Sequence, residues 1–402
     1  MPRTLSDSRV PVSFNDTSVA FSSKTNAQLR KTYLLFALMH IDWAVNLGTF
    51  FIKVALKLNL PVKSLIKYTI FEQFCGGENI KECDKAIQNL AKANIGTILD
   101  YSIEGEDDEK SFDQTTAEIL RTIEKADGAA SIPFTVFKVT GIAPTDLLEK
   151  IQSKETLTEA EEQAYQRVRV RMNQLCGAAF AHNVKIFIDA EESWIQDVID
   201  ALTYEMMRKY NTQRPVVYNT YQFYRWDMMA NLEKATKCAR QNGYFLGAKL
   251  VRGAYFEKER QRAHEFEYQD PIHATKADTD ADFDKAIEFA LANRDVLSIC
   301  LGTHNEQSCQ FCAELMDQNM IEHNDPHVWF AQLLGMSDNI SYILSQKGYN
   351  VAKYVPYGPV ESVMPYLFRR ADENKSIAGQ SNREFLLIKN ELKRRKAAAA
   401  SV

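Results

Sequence analysis

Two arginines stand side by side in "YLFRRADENKS", Tyr366 to Ser376, inside what reads as an amphipathic helix. Neighbouring helical residues point about 100° apart, so Arg369 and Arg370 do not share the centre of one solvated face. Two guanidinium forks at adjacent positions suit a carboxylate, which arginine grips bidentately. The plainer alternative is a solvated charge cluster closed by Glu373 one turn on.

Further polar residues gather where apolar runs end: Lys138, Asp189, Gln222, Lys249, Arg252, Tyr255, the trio Thr303-His304-Asn305, Gln332 and Tyr354. Each alone has an ordinary reading. Asp189 can cap a helix, and His304 can be a satisfied core histidine. As a group they are rich in cations and in amide or imidazole donors, which suits a large anionic, heteroaromatic cofactor and a carboxylate substrate. No Ser–His–Asp pattern is present, and no G-x-G-x-x-G follows a strand; "CGG" at 75–77 lies ahead of the strand-like runs. Cys309 and Cys312 form a C-x-x-C without a second ligand pair at zinc spacing, so they are expected to share one buried helix face and no metal is expected.

The elements that must position these groups alternate regularly. Eight runs read as strands: "GTILDYS" (96–102), "FTVFKVTGI" (134–142), "VKIFIDAEE" (184–192), "VVYNTYQFY" (216–224), "FLGAKLVRGAY" (245–255), "VLSICLGTHN" (296–305), "VWFAQLLGM" (328–336) and "VAKYVPYG" (351–358). Apolar or β-branched residues that give way to polar ends suit buried parallel strands. Helical signals separate them. Thr158-x-x-Glu161 reads as a capping box, and Gly243 as a helix end. Asp338 to Lys347 and Pro359 to Asn374 fill the last two helical slots, with Pro359 in a first turn. Eight alternations predict an α/β fold, a closed (βα)8 TIM-type barrel, whereas a doubly wound sheet would need only six strands. Residues 1–90 read as an N-terminal helical arm, 91–375 as the barrel and 376–402 as a C-terminal helix with a basic, frayed end. The acidic run at 104–110 reads as a solvated loop.

A chain of 402 residues, 45% hydrophobic and 25% charged, has ordinary globular composition. Its net charge of −5 argues against general nucleic-acid binding. The 7 cysteines read as reduced thiols. The N-terminus lacks the apolar core of a secretory signal. Tyr33 to Leu60 is broken by His40, Asp42, Asn46 and Lys53, too polar to span a bilayer. Lys53 and Lys57, one turn apart, leave an interfacial helix in peripheral membrane contact open beside a helix packed on its own protein.

The segments "FIDAEES", "YNTYQFY", "GAKLVRGAYFEKER", "THNE", "FAQLLGM" and "KYVPYGPVESVMPYLFRRADEN", in this order, resemble proline dehydrogenase, a flavin-dependent family. The resemblance runs from about Leu29 to Arg395. It implies a distorted (βα)8 barrel with noncovalent FAD at its mouth, oxidation of L-proline to Δ1-pyrroline-5-carboxylate, and a quinone as electron acceptor. By that likeness Arg369, Arg370 and Lys138 bind the substrate carboxylate, and Glu373 holds the arginine pair beside the cofactor. Tyr354 and Tyr255 wall the proline ring, with Leu333 as an apolar contact. Asp189, Lys249 and Tyr354 take catalytic roles: Asp189 orients its polar neighbours, and Lys249 stands near flavin N5, where some members carry Arg. Ala190, Asn219, Gln222, Val251, Gly253, Ala254, Thr303, His304 and Asn305 match cofactor-lining positions, with Asn219 where others have Gln. Glu104 or Glu106 would form a lid ion pair with an arginine. Tyr354 also marks the proline branch against the hydroxyproline branch. The cysteine usage suits bacterial cytoplasm and mitochondrial matrix alike, and the poor transit signal of the N-terminus points to the bacterial cytoplasm at the inner face of the membrane, with the matrix as the alternative. Competing activities are a hydroxyproline dehydrogenase and a Schiff-base aldolase using Lys138 or Lys249.

Overall fold

The computed structural model describes residues 12–39, 63–102, 108–376 and 380–400, without the side chains of 371–376 and 380–382. Eight strands close into a barrel in chain order: β1 (Ile95–Tyr101), β2 (Phe134–Lys138), β3 (Lys185–Asp189), β4 (Val217–Gln222), β5 (Leu246–Val251), β6 (Leu297–Gly302), β7 (Val328–Leu333) and β8 (Val351–Tyr357). Seven fall within the apolar runs, and β1 starts one residue ahead of its run, at Ile95. The fold is an α/β, TIM-type barrel. Strands covered on both faces need no polar alternation, and β4 and β8 are buried at every position.

The chain forms two compact units. One holds Gly105–Thr303 and Gln307–Ala331. Its strands carry an aromatic layer near their N-terminal ends. Phe134 stacks on Phe187 at 4.3 Å, and Tyr218 stands edge-on to both at 5.5 Å. The Lys185 ammonium lies 5.0 Å from the Phe134 ring and 4.9 Å from the Trp329 ring, and burial pushes it down to about 8. The β2–β3 register pairs Phe134 with Lys185 and, four residues on, Lys138 with Asp189. With a side-chain period of two, the face that is aromatic at its base therefore becomes polar at the C-terminal ends. Thr158 and Glu161 form the capping box of the helix Glu159–Ala181. Gly243 ends the helix Met228–Asn242 in the left-handed region, at φ 69°.

The other unit holds Val12–Glu104, His304–Glu306 and Gln332–Val402. Here β1 pairs with β8 from Ile95–Val351 to Tyr101–Tyr357. The Cys-Gly-Gly segment lies along the end of β8: Gly76 N–H donates to Pro356 O at 2.8 Å, and Gly77 bridges to Tyr357. Leu29 and Phe36 on the helix Asn26–Met39 share a core with Phe74, Leu367, Leu387 and Ile388. The two chain ends are tied as well: Thr17 Oγ1 donates to Glu391 at 2.9 Å, and Arg395 donates to Phe21 O and Lys24 O at 2.8 Å.

The helix after β8 departs from expectation. It spans Met364–Ser376 and does not begin at Pro359. Residues 359–363 are held as a turn, with Val363 N–H donating to Pro359 O at 3.1 Å. Pro365 takes the first-turn position, where a missing N–H removes no helical bond. Among the described residues no helix is long and apolar enough to cross a membrane. Lys53 and Lys57 lie outside the described residues.

Candidate active site

In the first unit the polar strand ends form a connected group. Lys249 rises from β5, and its ammonium ion-pairs with Asp189 at the end of β3. It also lies 5.4 Å from the Phe187 ring. The Lys249 side chain is 6% exposed, so its ammonium meets that carboxylate largely out of water. Lys138 sits opposite Asp189 in the strand register. Its charge also bears on Glu191, a residue not foreseen. Glu191 is buried and accepts both the N–H of Thr140, at 3.0 Å, and the Thr140 hydroxyl. Burial pushes its carboxyl up to about 7, against the pull of Thr140 and Lys138. The backbone O of Glu191 accepts from Gln222 Nε2 at 2.7 Å, so one acidic residue ties together the ends of β2, β3 and β4.

Arg252, just past β5, uses its whole fork. It donates to Asp280 Oδ1 at 2.7 Å, Thr303 Oγ1 at 2.8 Å and Ser308 Oγ at 3.0 Å. Its guanidinium stacks 4.4 Å from the Phe283 ring. Asp280 and Ser308 were not foreseen, since no sequence spacing ties them to Arg252. Beyond it the chain is bare: Gly253 and Ala254 are exposed, and Gly253 sits at φ 132°, where a Cβ would come 2.6 Å from the Tyr224 ring. Tyr255 precedes the helix Phe256–Glu265, with the Lys258 ammonium 5.6 Å from its ring. Val251 is half-buried and Ala190 buried.

Asn219 does not join this group. Its amide donates to Asp200 Oδ1 at 2.9 Å, on the helix Ser193–Tyr210. Tyr221, on the same face of β4, meets Tyr204 of that helix at 2.8 Å. Strand alternation sends Asn219 and Tyr221 outward and Gln222 to the opposite face. A direct cofactor contact from Asn219 is therefore corrected to a structural one.

In the second unit His304 Nδ1 meets Ser337 Oγ at 2.9 Å. Burial pushes the imidazole down to about 3, with Lys353 and Arg370 as neighbouring cations, so it is neutral at physiological pH. Arg370 is 8% exposed and lies 5.1 Å over the Tyr366 ring, while Arg369 is half-buried. Asn305 is half-buried. Tyr354 is buried in β8, and its backbone O accepts Leu334 N–H at 2.8 Å. Leu333 packs against the core of this unit. Gln332 is buried, and its amide O accepts from Ser341 Oγ at 2.7 Å. Lys353, unforeseen, is fully buried and ion-pairs with Asp338 at 3.0 Å. Asp338 also takes Lys24 at 3.0 Å, and the two cations hold its carboxyl down at about 2 against burial. The side chain of Glu373 and the residues Glu104 and Glu106 lie outside the described residues. Cys309 and Cys312 are both buried on the helix Glu306–Gln318.

The family model for proline dehydrogenase matches residues 83–383 of this chain, the span that carries every site residue just described. The chain belongs to the proline dehydrogenase family. Curated relatives agree. It is 32% identical to proline dehydrogenase 1, mitochondrial, of Dictyostelium discoideum, over 94% of this chain and 74% of that protein. It is 34% identical to the carbapenem antibiotics biosynthesis protein CarD of Pectobacterium carotovorum, over 80% of this chain and 83% of that one. Proline utilization A of Bdellovibrio bacteriovorus, inactivated by N-propargylglycine, superposes with a TM-score of 0.72 at 17% identity. That match covers 94% of this chain and 41% of the longer one, and it shows the shared fold. The chain is thus an enzyme of the proline dehydrogenase class.

Proposed function

We propose that this enzyme oxidises L-proline to Δ1-pyrroline-5-carboxylate, using noncovalent FAD and passing the electrons to a quinone. The observation that carries the reading is the family match over residues 83–383, which contains the cationic and amide-rich strand ends. Their chemistry fits the cofactor. Lys249, Arg252 and Gln222 offer donors to an anionic, heteroaromatic group, and the bare Gly253-Ala254 segment lets such a group approach the backbone. When bound, FAD supplies the acceptor for the hydride leaving proline C5.

The protein's own part is binding and orientation. Arg369, Arg370 and Lys138 take the substrate carboxylate by charge-assisted hydrogen bonds. Fixing the carboxylate fixes C5, an effect of orientation. Tyr354, Tyr255 and Leu333 shape the pocket for the pyrrolidine ring, and the phenol of Tyr354 fills the space a 4-hydroxyl would need. Lys249, ion-paired with Asp189, stabilises negative charge that develops on the cofactor side. Ala190, Val251, Thr303, His304, Asn305 and Glu373 line the cofactor. The mitochondrial naming of the Dictyostelium relative favours the matrix over the bacterial cytoplasm, and the free cysteines fit either compartment.

The test is the visible spectrum of the purified chain. A flavin spectrum that bleaches on anaerobic addition of L-proline, with FAD released on denaturation, is the result expected. A colourless protein that FAD cannot reconstitute would exclude the reading, and borohydride trapping of a keto substrate on Lys138 or Lys249 would replace it with the aldolase.

A further inference from the structure

The C-terminal helix, Gln380–Ala400, runs on past residue 383, where the family match ends. Glu384 on this helix is 7% exposed. Its Oε1 accepts the backbone N–H of Ser337 at 3.1 Å. Ser337 stands in the left-handed region at φ 51°, a conformation that serine keeps only where its surroundings fix it. The Ser337 hydroxyl in turn meets His304 Nδ1 at 2.9 Å. Two hydrogen bonds therefore connect the C-terminal helix to a residue at a cofactor-lining position.

The charges around Glu384 are uneven. Lys24 and Lys353 both stand 3.0 Å from Asp338. Among the described residues no cation lies within ion-pair distance of Glu384, and its helix neighbour Arg383 pairs with Glu306 at 3.0 Å. The charged groups that face it are Asp338 on the helix Asp338–Gln346, Lys353 on β8 and Lys24 near the N-terminus. Burial first, and repulsion from Asp338 second, push the Glu384 carboxyl up to about 7.

We propose that Glu384 is a positioning residue, acting through Ser337 to hold His304 in the orientation that receives the cofactor and setting the charge of its surroundings. The inference rests on the FAD reading above. With Glu384 neutral, the cations that act on it or on His304, namely Lys24, Lys353 and Arg370, outnumber Asp338. With Glu384 ionised, one unit of that positive excess is cancelled. An anionic cofactor is held more tightly in the first case, on the acid side of neutrality.

The experiment measures FAD dissociation constants of the full chain, reconstituted from flavin-free protein, by flavin fluorescence between about pH 5.5 and about pH 8.5. Wild type is expected to weaken on the order of tenfold across this range, as the carboxylate that forms opposes an anionic cofactor. Glu384→Gln keeps an acceptor for Ser337 but cannot ionise. It is expected to bind FAD as wild type does at acid pH and to keep that affinity in alkali. Glu384→Ala leaves the Ser337 N–H unserved and, like Gln, cannot ionise, so it is expected to bind FAD about tenfold more weakly than Glu384→Gln at every pH; should it fail to fold, the Gln variant decides. Matching pH profiles for wild type and Glu384→Gln would overturn the proposal, because a merely structural glutamate would not move the profile. No FAD binding by wild type at any pH would overturn the flavin reading, and this inference with it.

Discussion

Replacing Arg252 by lysine separates the work of its charge from that of its shape. Lysine keeps the cation but carries its three donors on a single nitrogen, so it cannot reproduce the planar spread by which Nε, Nη1 and Nη2 each serve one of Asp280, Thr303 and Ser308. The mismatch costs one or two of these hydrogen bonds to a charged group, each about 1.5–3 kcal/mol. Stacking on Phe283 is weakened too. The Arg252 side chain is 20% exposed, so water recovers part of the loss, leaving about 2–3 kcal/mol. If binding requires Thr303 to be held in place, that corresponds to roughly 30- to 150-fold in the FAD dissociation constant. The assay is FAD titration of flavin-free protein by fluorescence, beside thermal unfolding of the same samples. A fall in melting temperature of about 2–4 °C should accompany the weaker binding. A lysine variant whose affinity lies within about twofold of wild type, with an unchanged melting temperature, would refute the argument that the fork organises the ends of β5 and β6.

Arg369→Met and Arg370→Met should each raise the proline KM at least about tenfold, with flavin content kept, since each removes a charge-assisted bond; wild-type KM values in both would return the pair to a surface charge cluster. Tyr354→Ser should narrow the preference for L-proline over trans-4-hydroxy-L-proline, which overpacking sets at about 5- to 150-fold in kcat/KM; an unchanged ratio would mean that Tyr354 does not set the choice. Glu191, raised from the ordinary 4.5 to about 7, binds a proton more readily folded than unfolded. Its contribution to stability is thus greatest below about pH 4.5 and is lost as pH rises through 7, at up to about 1.4 kcal/mol per pH unit. Glu191→Gln should flatten that slope in thermal unfolding, and parallel curves for the two proteins would count against a buried, titrating Glu191.

The barrel is legible because buried parallel strands cannot hide: "VVYNTYQFY" and "VAKYVPYG" carry apolar or aromatic residues at both parities, where a one-sided strand would keep them to one. The same feature conceals which way a side chain faces. Asn219 and Gln222 lie three apart in β4, and a period of two puts them on opposite faces, so likeness to a family glutamine was a weaker guide than parity. The start of the last barrel helix is hard to read because two prolines, Pro359 and Pro365, suit a first turn equally well, and it is the tighter bonds of Ser362 to Pro359 O and Met364 to Glu361 O that set residues 359–363 apart as a turn. Lys353 in the middle of an apolar run gave no hint of its partner, because Asp338 opens a helix on another segment. Arg252 was visible as a cation at a strand end, but Asp280 and Ser308 reach it only through the fold.

The bonds that join Thr17 to Glu391, and Arg395 to Phe21 O, each span 374 residues. At a synthesis rate of roughly 5–20 residues per second, the second partner leaves the ribosome roughly 20–75 s after the first. During that interval Leu29 and Phe36 are already made, while Leu387 and Ile388, which share their core, do not yet exist. The nascent helix Asn26–Met39 must therefore keep an apolar face uncovered for most of translation, the condition in which chaperones are recruited and aggregation begins. Loss of the last turns of the C-terminal helix should accordingly show first as poor recovery of soluble protein in the cell, before any change in the chemistry of the molecules that do fold.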